Sequence, residues 1–370
     1  MKIAIHAAEL DQERIDGNRV YLLNVLKNFG TLDQKSGFLL YHKNNFNPEL
    51  APPDFSNYAI KKIKPFPFWT QTIFSRELFK DKPDTLWMSI QAIPFFLPKL
   101  RSVVTIHDLA PKIFPKHFKP FDRFKLNLYL DLAIKKADKI IAISENTKSD
   151  ILKFYPEVDA GKIKVIYHGF DRALFDRERN LSKEAEVKRR FGIDGEYLMY
   201  TGAIQPRKNL AVLVEAFEEL KKETGSDLKL VIAGKPAWKA QETLDRIKRS
   251  AYGRDIIIVP GPNFDDLSHL YRGARVFIYP TLYEGFGIPI LEAMAARVPV
   301  IAANNSSLTE IGKGCAIYFD GKNILDLKNK IKNVLEDIDS TRRLVEEAYL
   351  HSKNFSWEKC ARETLEFLKD

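Results

Sequence analysis

Short apolar runs rich in β-branched and aromatic residues alternate along this chain with longer segments whose apolar positions recur every three to four residues. In the first half, residues 2–7, 38–41, 58–63, 85–89, 102–106, 140–143 and 164–167 read as strands. Residues 17–29, with Val20, Leu23 and Leu26 on one face, read as a helix, as do 124–137 and a segment that Ser144 caps and that runs to about Tyr155. After a charged, apolar-poor span at 176–195 the pattern restarts. Strands at 197–201, 228–233, 256–259 and 276–279 alternate with helices at 210–223, 239–251, 265–272 and 288–296. Strands alternating with helices in this way predict parallel sheets covered on both faces. The interruption predicts a first domain over residues 1–178 and a second over 190–352. Helical segments at 322–336, 341–352 and 356–369 close the chain, and residues 353–370 form a last element with Ser356 as cap and Trp357 as anchor.

The most informative stretch is VFIYPTLYEGFGIPILEAMAARVPV, residues 276–300. A buried strand runs through a turn containing Gly285 and Gly287 into a helix opened by Pro289, a residue suited to the first helical turn. Such a turn offers backbone N–H groups and the positive end of the helix dipole, which suit an anion such as diphosphate. Glu284 and Glu292 bracket the turn. Ionised carboxylates only accept hydrogen bonds and repel phosphate, so they are expected to read sugar hydroxyls on either side of it. Alone, Glu284 reads first as a group stabilising the helix N-terminus and Glu292 as a solvated helix position; the constellation carries the inference.

The setting YEGFGIPILEAMA, with seven residues between Glu284 and Glu292, resembles the signature of the retaining glycosyltransferases of family 4. The resemblance implies the GT-B fold: α/β, two Rossmann-like domains facing across a cleft, with a C-terminal helix returning to the first domain. It also implies that Glu284 contacts the donor sugar, Glu292 the nucleotide ribose, and the turn of Gly285, Phe286, Gly287 and Ile288 the diphosphate. In GAIQPRKNL the resemblance gives Lys208 to the diphosphate. Ala203 follows Gly202 where many members carry arginine, and Arg207 is expected to replace it. Two cations before a helix oppose the macrodipole unless an anion binds there. The loop after the first strand carries one glycine, Gly17, where many members have two or three at the donor phosphate. TIHDLAPKIFP resembles the family segment whose histidine lies at the donor sugar, which gives that place to His107 and a catalytic role to Asp108 beside it. From the residues alone, a histidine at the carboxyl end of a parallel strand suits proton transfer or hydroxyl binding, and the adjacent acid suits orienting it. Asp337-Ile338-Asp339 matches the Asp-x-Asp pattern that holds a metal in another large glycosyltransferase fold, but it follows a helix and reads as a solvated helix end. No metal or cofactor is expected.

Composition narrows the partners. The chain has 370 residues, 45% of them hydrophobic, and two cysteines without paired spacing. No window approaches the length needed to span a bilayer, and the N-terminal residues turn polar too early for a signal peptide. A cytoplasmic protein is expected, able to sit peripherally on the inner face of the cell membrane. Residues 1–178 carry 28 Lys or Arg against 21 Asp or Glu, and the remainder 30 against 28, so the excess of the +9 chain is concentrated in the first half. An electropositive first half favours anionic partners. Residues 61–79 interleave lysine with phenylalanine and tryptophan, a mixture that suits a membrane surface or a loop and helix packed on the domain. Residues 112–125 interleave lysine and arginine with phenylalanine, as single-stranded nucleic-acid binders do and as rings buried in the sheet also allow; beside His107 they are expected to face the acceptor or a membrane.

The expected function is therefore a metal-independent retaining hexosyltransferase acting from a nucleotide-diphosphate sugar on a glycan or lipid-linked acceptor. PRKN and TIHDL resemble the branch of bacterial surface-polysaccharide mannosyltransferases, which makes GDP-mannose the first donor. The alternatives are a nucleotide-sugar epimerase of the same fold, a non-enzymatic nucleic-acid-binding protein, and a sugar-binding protein without turnover. A nucleic-acid partner is not expected.

Overall fold

The computed structural model describes residues 1–13 and 15–370. They form two compact units, one comprising Met1–Gly169 with Phe355–Asp370 and the other Phe170–Asn354.

The first unit is built on seven strands: β1 (Lys2–His6), β2 (Gly37–His42), β3 (Tyr58–Lys62), β4 (Thr85–Met88), β5 (Arg101–Ile106), β6 (Lys139–Ala142) and β7 (Ile163–Val165). Their order is β3-β2-β1-β4-β5-β6-β7, with every pair parallel. Most of these strands are buried nearly throughout, as a sheet covered on both faces requires, while edge strand β3 is not. The chain leaves β1 for one side of the sheet and returns to the other at β4, so the order reverses between them. Open α/β sheets hold ligands at the carboxyl ends of strands at such a reversal.

The helix Trp357–Lys369 belongs to this first unit. Ser356 accepts from the Lys359 amide at 3.1 Å as its cap. Arg101 donates to the Lys369 carbonyl at 3.0 Å, and Lys369 pairs with Asp33 at 2.7 Å. Trp357 is buried, and its backbone passes so close to Gly169 that a Cβ there would meet the Trp357 nitrogen at 2.1 Å. The glycine of the His168-Gly169 turn is thus required by a neighbouring main chain.

The second unit carries β8 (Tyr197–Thr201), β9 (Lys229–Ala233), β10 (Ile256–Val259), β11 (Val276–Tyr279), β12 (Val300–Ala303) and β13 (Ile317–Phe319), ordered β10-β9-β8-β11-β12-β13 and again parallel. Its reversal lies between β8 and β11, whose residues Leu198 and Met199 pair with Val276 and Phe277.

Several segments differ from the reading of the sequence. The helix expected from Phe124 runs Pro120–Lys136, because Pro120 is preorganised for a first turn. The charged span taken as linker contains the helix Leu181–Arg190 within the second unit, capped by Asn180 and buried only at Glu184 and Val187. So narrow a buried stripe leaves no long apolar signal. β12 and β13, four and three residues long, were not anticipated. Residues 61–79 divide between both readings: Trp69 and Phe74 are buried and stacked at 5.3 Å, while Phe66 and Phe68 are exposed. Asp337 caps the following helix through the Ser340 amide at 3.0 Å. Among the described residues no helix is long and apolar enough to cross a membrane.

Candidate functional site

The second unit brings three of the expected residues together at its strand reversal. After β8 the chain passes Gly202, at φ +138°, and a short turn Pro206–Lys208 before the helix Leu210–Thr224. Asn209 occupies the left-handed region at φ 56°, where asparagine is tolerated, and its amide donates to the Pro280 and Gly321 carbonyls at 3.0 and 2.7 Å. The Leu282 amide in turn donates to the Arg207 carbonyl at 2.9 Å. The turn after β8 is thereby clamped to the turn after β11.

Within that clamp Lys208, buried, pairs with Glu284 Oε1, and Arg207 Nη1 lies 3.6 Å from Glu284 Oε2 while donating to the Tyr283 carbonyl. Thr281 Oγ1 and Tyr279 OH stand 3.0 and 3.1 Å from the same Glu284 oxygen as Lys208. Burial works to raise the Glu284 carboxyl, but Lys208, Arg207 and Thr281 outweigh it and hold it below the usual carboxylate range. The result is a preformed carboxylate with two cations beside it, an arrangement whose cations an incoming anion can share.

Behind the turn, Ser307 Oγ donates to the Glu284 and Phe286 carbonyls at 2.9 and 2.8 Å, and the Glu284 amide donates to Ser306 Oγ at 3.1 Å. Gly287 sits at φ +107°, a conformation that disfavours any side chain, and opens the helix Ile288–Ala295 with Pro289 in its first turn. Gly285 and Phe286 are buried and Ile288 half-buried in this turn.

Glu292, on that helix, accepts from Tyr271 OH at 2.8 Å. Its surroundings act oppositely to those of Glu284. Burial pushes the Glu292 carboxyl up to about 7, with Asp171 adding to the rise and the Tyr271 hydrogen bond opposing it. The two carboxylates of the motif are thus differently prepared, one fixed as an anion and one close to its protonation midpoint at neutral pH.

Three expected residues lie in the first unit. Gly17 begins the helix Gly17–Leu32 with open space where a Cβ would stand. His107 follows β5, buried, with Nε2 2.8 Å from the Ser89 carbonyl beyond β4. A carbonyl only accepts, so Nε2 carries the proton; burial lowers the ring below the ordinary imidazole range, against the pull of Ser89 and Asp108, and a neutral ring then presents Nδ1 as an acceptor. Tyr21 packs edge-on to His107 at 5.2 Å and stacks on His168 at 4.5 Å. The Asp108 carboxylate accepts from the Ala110 amide at 2.9 Å, so it shapes the turn, and the Ser89 carbonyl orients the imidazole in the place where sequence reasoning put the acid.

Sequence reasoning missed Tyr271, Tyr279, Thr281, Ser306, Ser307 and Ser89 as supports. Tyr279 and Thr281 lie within the stretch 276–300, just before Glu284, whereas Tyr271, Ser306, Ser307 and Ser89 lie outside it. Among the described residues no group of three or more His, Cys, Asp or Glu is placed to hold a metal.

A family model described as glycosyl transferases group 1 matches residues 182–351, and one described as glycosyltransferase family 4 matches residues 34–174. The O-antigen chain mannosyltransferase B of Escherichia coli is 30% identical over 282 residues, covering 74% of this chain and 72% of that protein. The serotype-specific mannosyltransferase WbdA of Escherichia coli is 26% identical over 336 residues, which span 88% of this chain but only 39% of that longer protein. Among solved structures, Anabaena HepE in complex with UDP and glucose superposes with a TM-score of 0.78 at 18% identity, over 100% of this chain and 99% of that one. WaaG, a glycosyltransferase involved in lipopolysaccharide biosynthesis, does so with a TM-score of 0.75 at 14% identity, over 100% and 99%. These likenesses show the fold, which is GT-B.

Proposed function

The chain belongs to glycosyltransferase family 4, and on that premise we propose that it transfers a hexose, mannose from GDP-mannose in the first instance, to a hydroxyl of a glycan or lipid-linked acceptor with retention at the anomeric carbon. The observation that supports this most is the cluster of buried Lys208 with half-buried Arg207 and Glu284 at the strand reversal of the second unit. The choice of mannose rests on the mannosyltransferases to which the chain is similar.

In this reading the diphosphate takes Lys208 and Arg207 as partners, together with the backbone N–H groups at the Gly285–Ile288 turn. Glu284, relieved of part of its ion pairing, accepts hydrogen bonds from hydroxyls of the donor sugar. Glu292 accepts from the ribose diol. The acceptor oxygen bonds to the anomeric carbon on the face from which the phosphate oxygen departs, and the acceptor proton passes to that leaving oxygen. Negative charge grows on the diphosphate as the bond breaks, and preorganised cations and amides stabilise it where it develops. These groups supply the charge that a divalent metal supplies elsewhere, so turnover is expected to persist in EDTA.

Thermal stabilisation and hydrolysis measured across a panel of nucleotide sugars test the reading, since a bound ligand raises apparent stability by mass action. GDP-mannose is expected to give the largest shift, with GDP released. A UDP-sugar in first place would replace the donor, conversion of the sugar without an acceptor would indicate an epimerase, and stabilisation without release of nucleotide would leave a sugar-binding protein.

A further inference from the structure

We propose that Tyr279 and Thr281 are positioning residues that hold one oxygen of Glu284 in place when a bound diphosphate draws Lys208 and Arg207 away, so that the other oxygen reads a hydroxyl of the donor sugar. The inference rests on the reading of Glu284 as the group that faces that sugar, and it gives the two carboxylate oxygens unequal tasks. Oε1 accepts from Thr281 Oγ1 at 3.0 Å and from Tyr279 OH at 3.1 Å, and it is also the oxygen that pairs with Lys208. Oε2 has Arg207 Nη1 at 3.6 Å, too far for a hydrogen bond. Three donors thus converge on one oxygen, and the looser ion pair falls to the other.

The Tyr279 hydroxyl also accepts from Lys208 Nζ at 3.4 Å, so it stands between cation and carboxylate, accepting from one and donating to the other. Its ring is fixed in place. Tyr279 is buried at the end of β11, stacked with Phe277 of the same strand at 5.8 Å and with Tyr200 of β8 at 6.1 Å. Tyr200 OH in turn donates to the Ala203 carbonyl at 3.2 Å, in the turn that leads to Arg207 and Lys208. Thr281 is likewise buried, and its carbonyl accepts from the Asn305 side-chain amide at 3.0 Å. Both hydroxyls are therefore held by groups outside the ion cluster itself.

Without such donors, binding of the diphosphate would spoil the group beside it. Burial pushes the Glu284 carboxyl up, and Lys208 and Arg207 are the main forces that hold it down, with Thr281 adding to them. A diphosphate that takes both cations weakens that hold, and a carboxyl that gained a proton would lose much of its strength as an acceptor for a sugar hydroxyl. Two hydroxyls donating to Oε1 keep the ionised form favoured while the cations are engaged elsewhere. Neither residue needs to touch the donor to do so.

The test compares Tyr279→Phe, Thr281→Val and the double variant with wild type, in GDP binding by calorimetry and in nucleotide release from the nucleotide sugar that wild type hydrolyses fastest, between about pH 5 and about pH 9. Each single variant is expected to keep wild-type GDP affinity and donor KM while kcat falls roughly tenfold. In the double variant the acid limb of kcat, which reports groups in the bound complex, is expected to move up by about one pH unit. The acid limb of kcat/KM should move less, because it reports the free enzyme, where both cations still attend Glu284. A merely structural role would not separate the two profiles. Thr281→Ser keeps the donor and is expected to keep the wild-type profile, and in a Glu284→Gln background Tyr279→Phe should cost little more. A folded double variant with wild-type kcat and an unmoved limb, where Glu284→Gln is itself impaired, would overturn the proposal and leave Glu284 in its role. Wild-type turnover by Glu284→Gln would overturn the reading of Glu284 and the proposal with it. Should the double variant melt early, the single variants, each of which leaves one hydroxyl on Oε1, carry the same outcomes.

Discussion

The carboxyl ends of the two parallel sheets are furnished in opposite ways. Beyond β8 and β11 the charged side chains are drawn inward and engaged with each other, as Lys208 and Arg207 are with Glu284. Beyond β3, β4 and β5 the polar groups mostly stitch loops together, while phenylalanines and lysines stand in solvent. The first arrangement suits a small anionic ligand that must be gripped in one geometry. One sheet architecture thus carries two kinds of end, according to whether its turns bury charge or display apolar surface.

The sharpest way to break this comparison is at Lys208. Lys208→Ala removes one preorganised cation and is expected to lower kcat by roughly 100- to 1,000-fold, on the scale of losing a single donor to developing charge. Steady-state kinetics with the best donor would show it, and a wild-type rate would remove Lys208 from its role. Glu292→Ala comes next. It is expected to weaken nucleotide binding by about 1.5–3 kcal/mol, the size of a hydrogen bond to a charged group, as read by calorimetry.

Glu292 also gives a pH signature whose sign follows from burial raising it to about 7 from an ordinary value of 4.5. Between those values the folded chain keeps a proton that the unfolded chain has lost. The associated stability is complete below the lower value and is lost as pH rises through the upper one. Glu292→Gln is expected to flatten this fall in a denaturation series between pH 4.5 and 8. Because a ribose diol donates best to the ionised form, donor affinity should rise over the same upper range, and an affinity independent of pH would count against that contact.

The glycines sharpen the contrast at the smallest scale. Gly287→Ala forces a side chain into φ +107° with its Cβ 3.0 Å from Leu308, and is expected to cost about 1–3 kcal/mol in chemical denaturation. Gly17→Ala meets no atom within 4 Å and should leave stability close to wild type. A loss of donor affinity in the folded Gly17→Ala protein would then report a ligand approaching that backbone.

Where local pattern determined structure, the sequence was legible. Most strands and helices follow from apolar runs, Pro289 and Ser356 mark their helix starts, and the glycine turn between Glu284 and Glu292 stands where the motif places it. The family signature is legible for the same reason, since its residues are neighbours. Contacts set by tertiary packing were not. The pairing of Lys208 with Glu284 joins positions 76 residues apart, and Tyr271 reaches Glu292 from a separate helix. Nothing near Gly234 announces that a Cβ there would strike the Gly202 carbonyl at 1.8 Å. Asp108 shows the converse failure: adjacency to His107 suggested an orienting acid, whereas its carboxylate reaches the Ala110 amide two residues on.

The central claim is that a donor diphosphate takes Lys208 and Arg207 as its partners beside Glu284. Titration calorimetry of GDP and of guanosine into wild type and Lys208→Ala tests it most directly. The account predicts that wild type binds GDP far more tightly than guanosine and that the variant loses most of this difference while still binding the nucleoside. Equal preference for GDP over guanosine in the two proteins would contradict it.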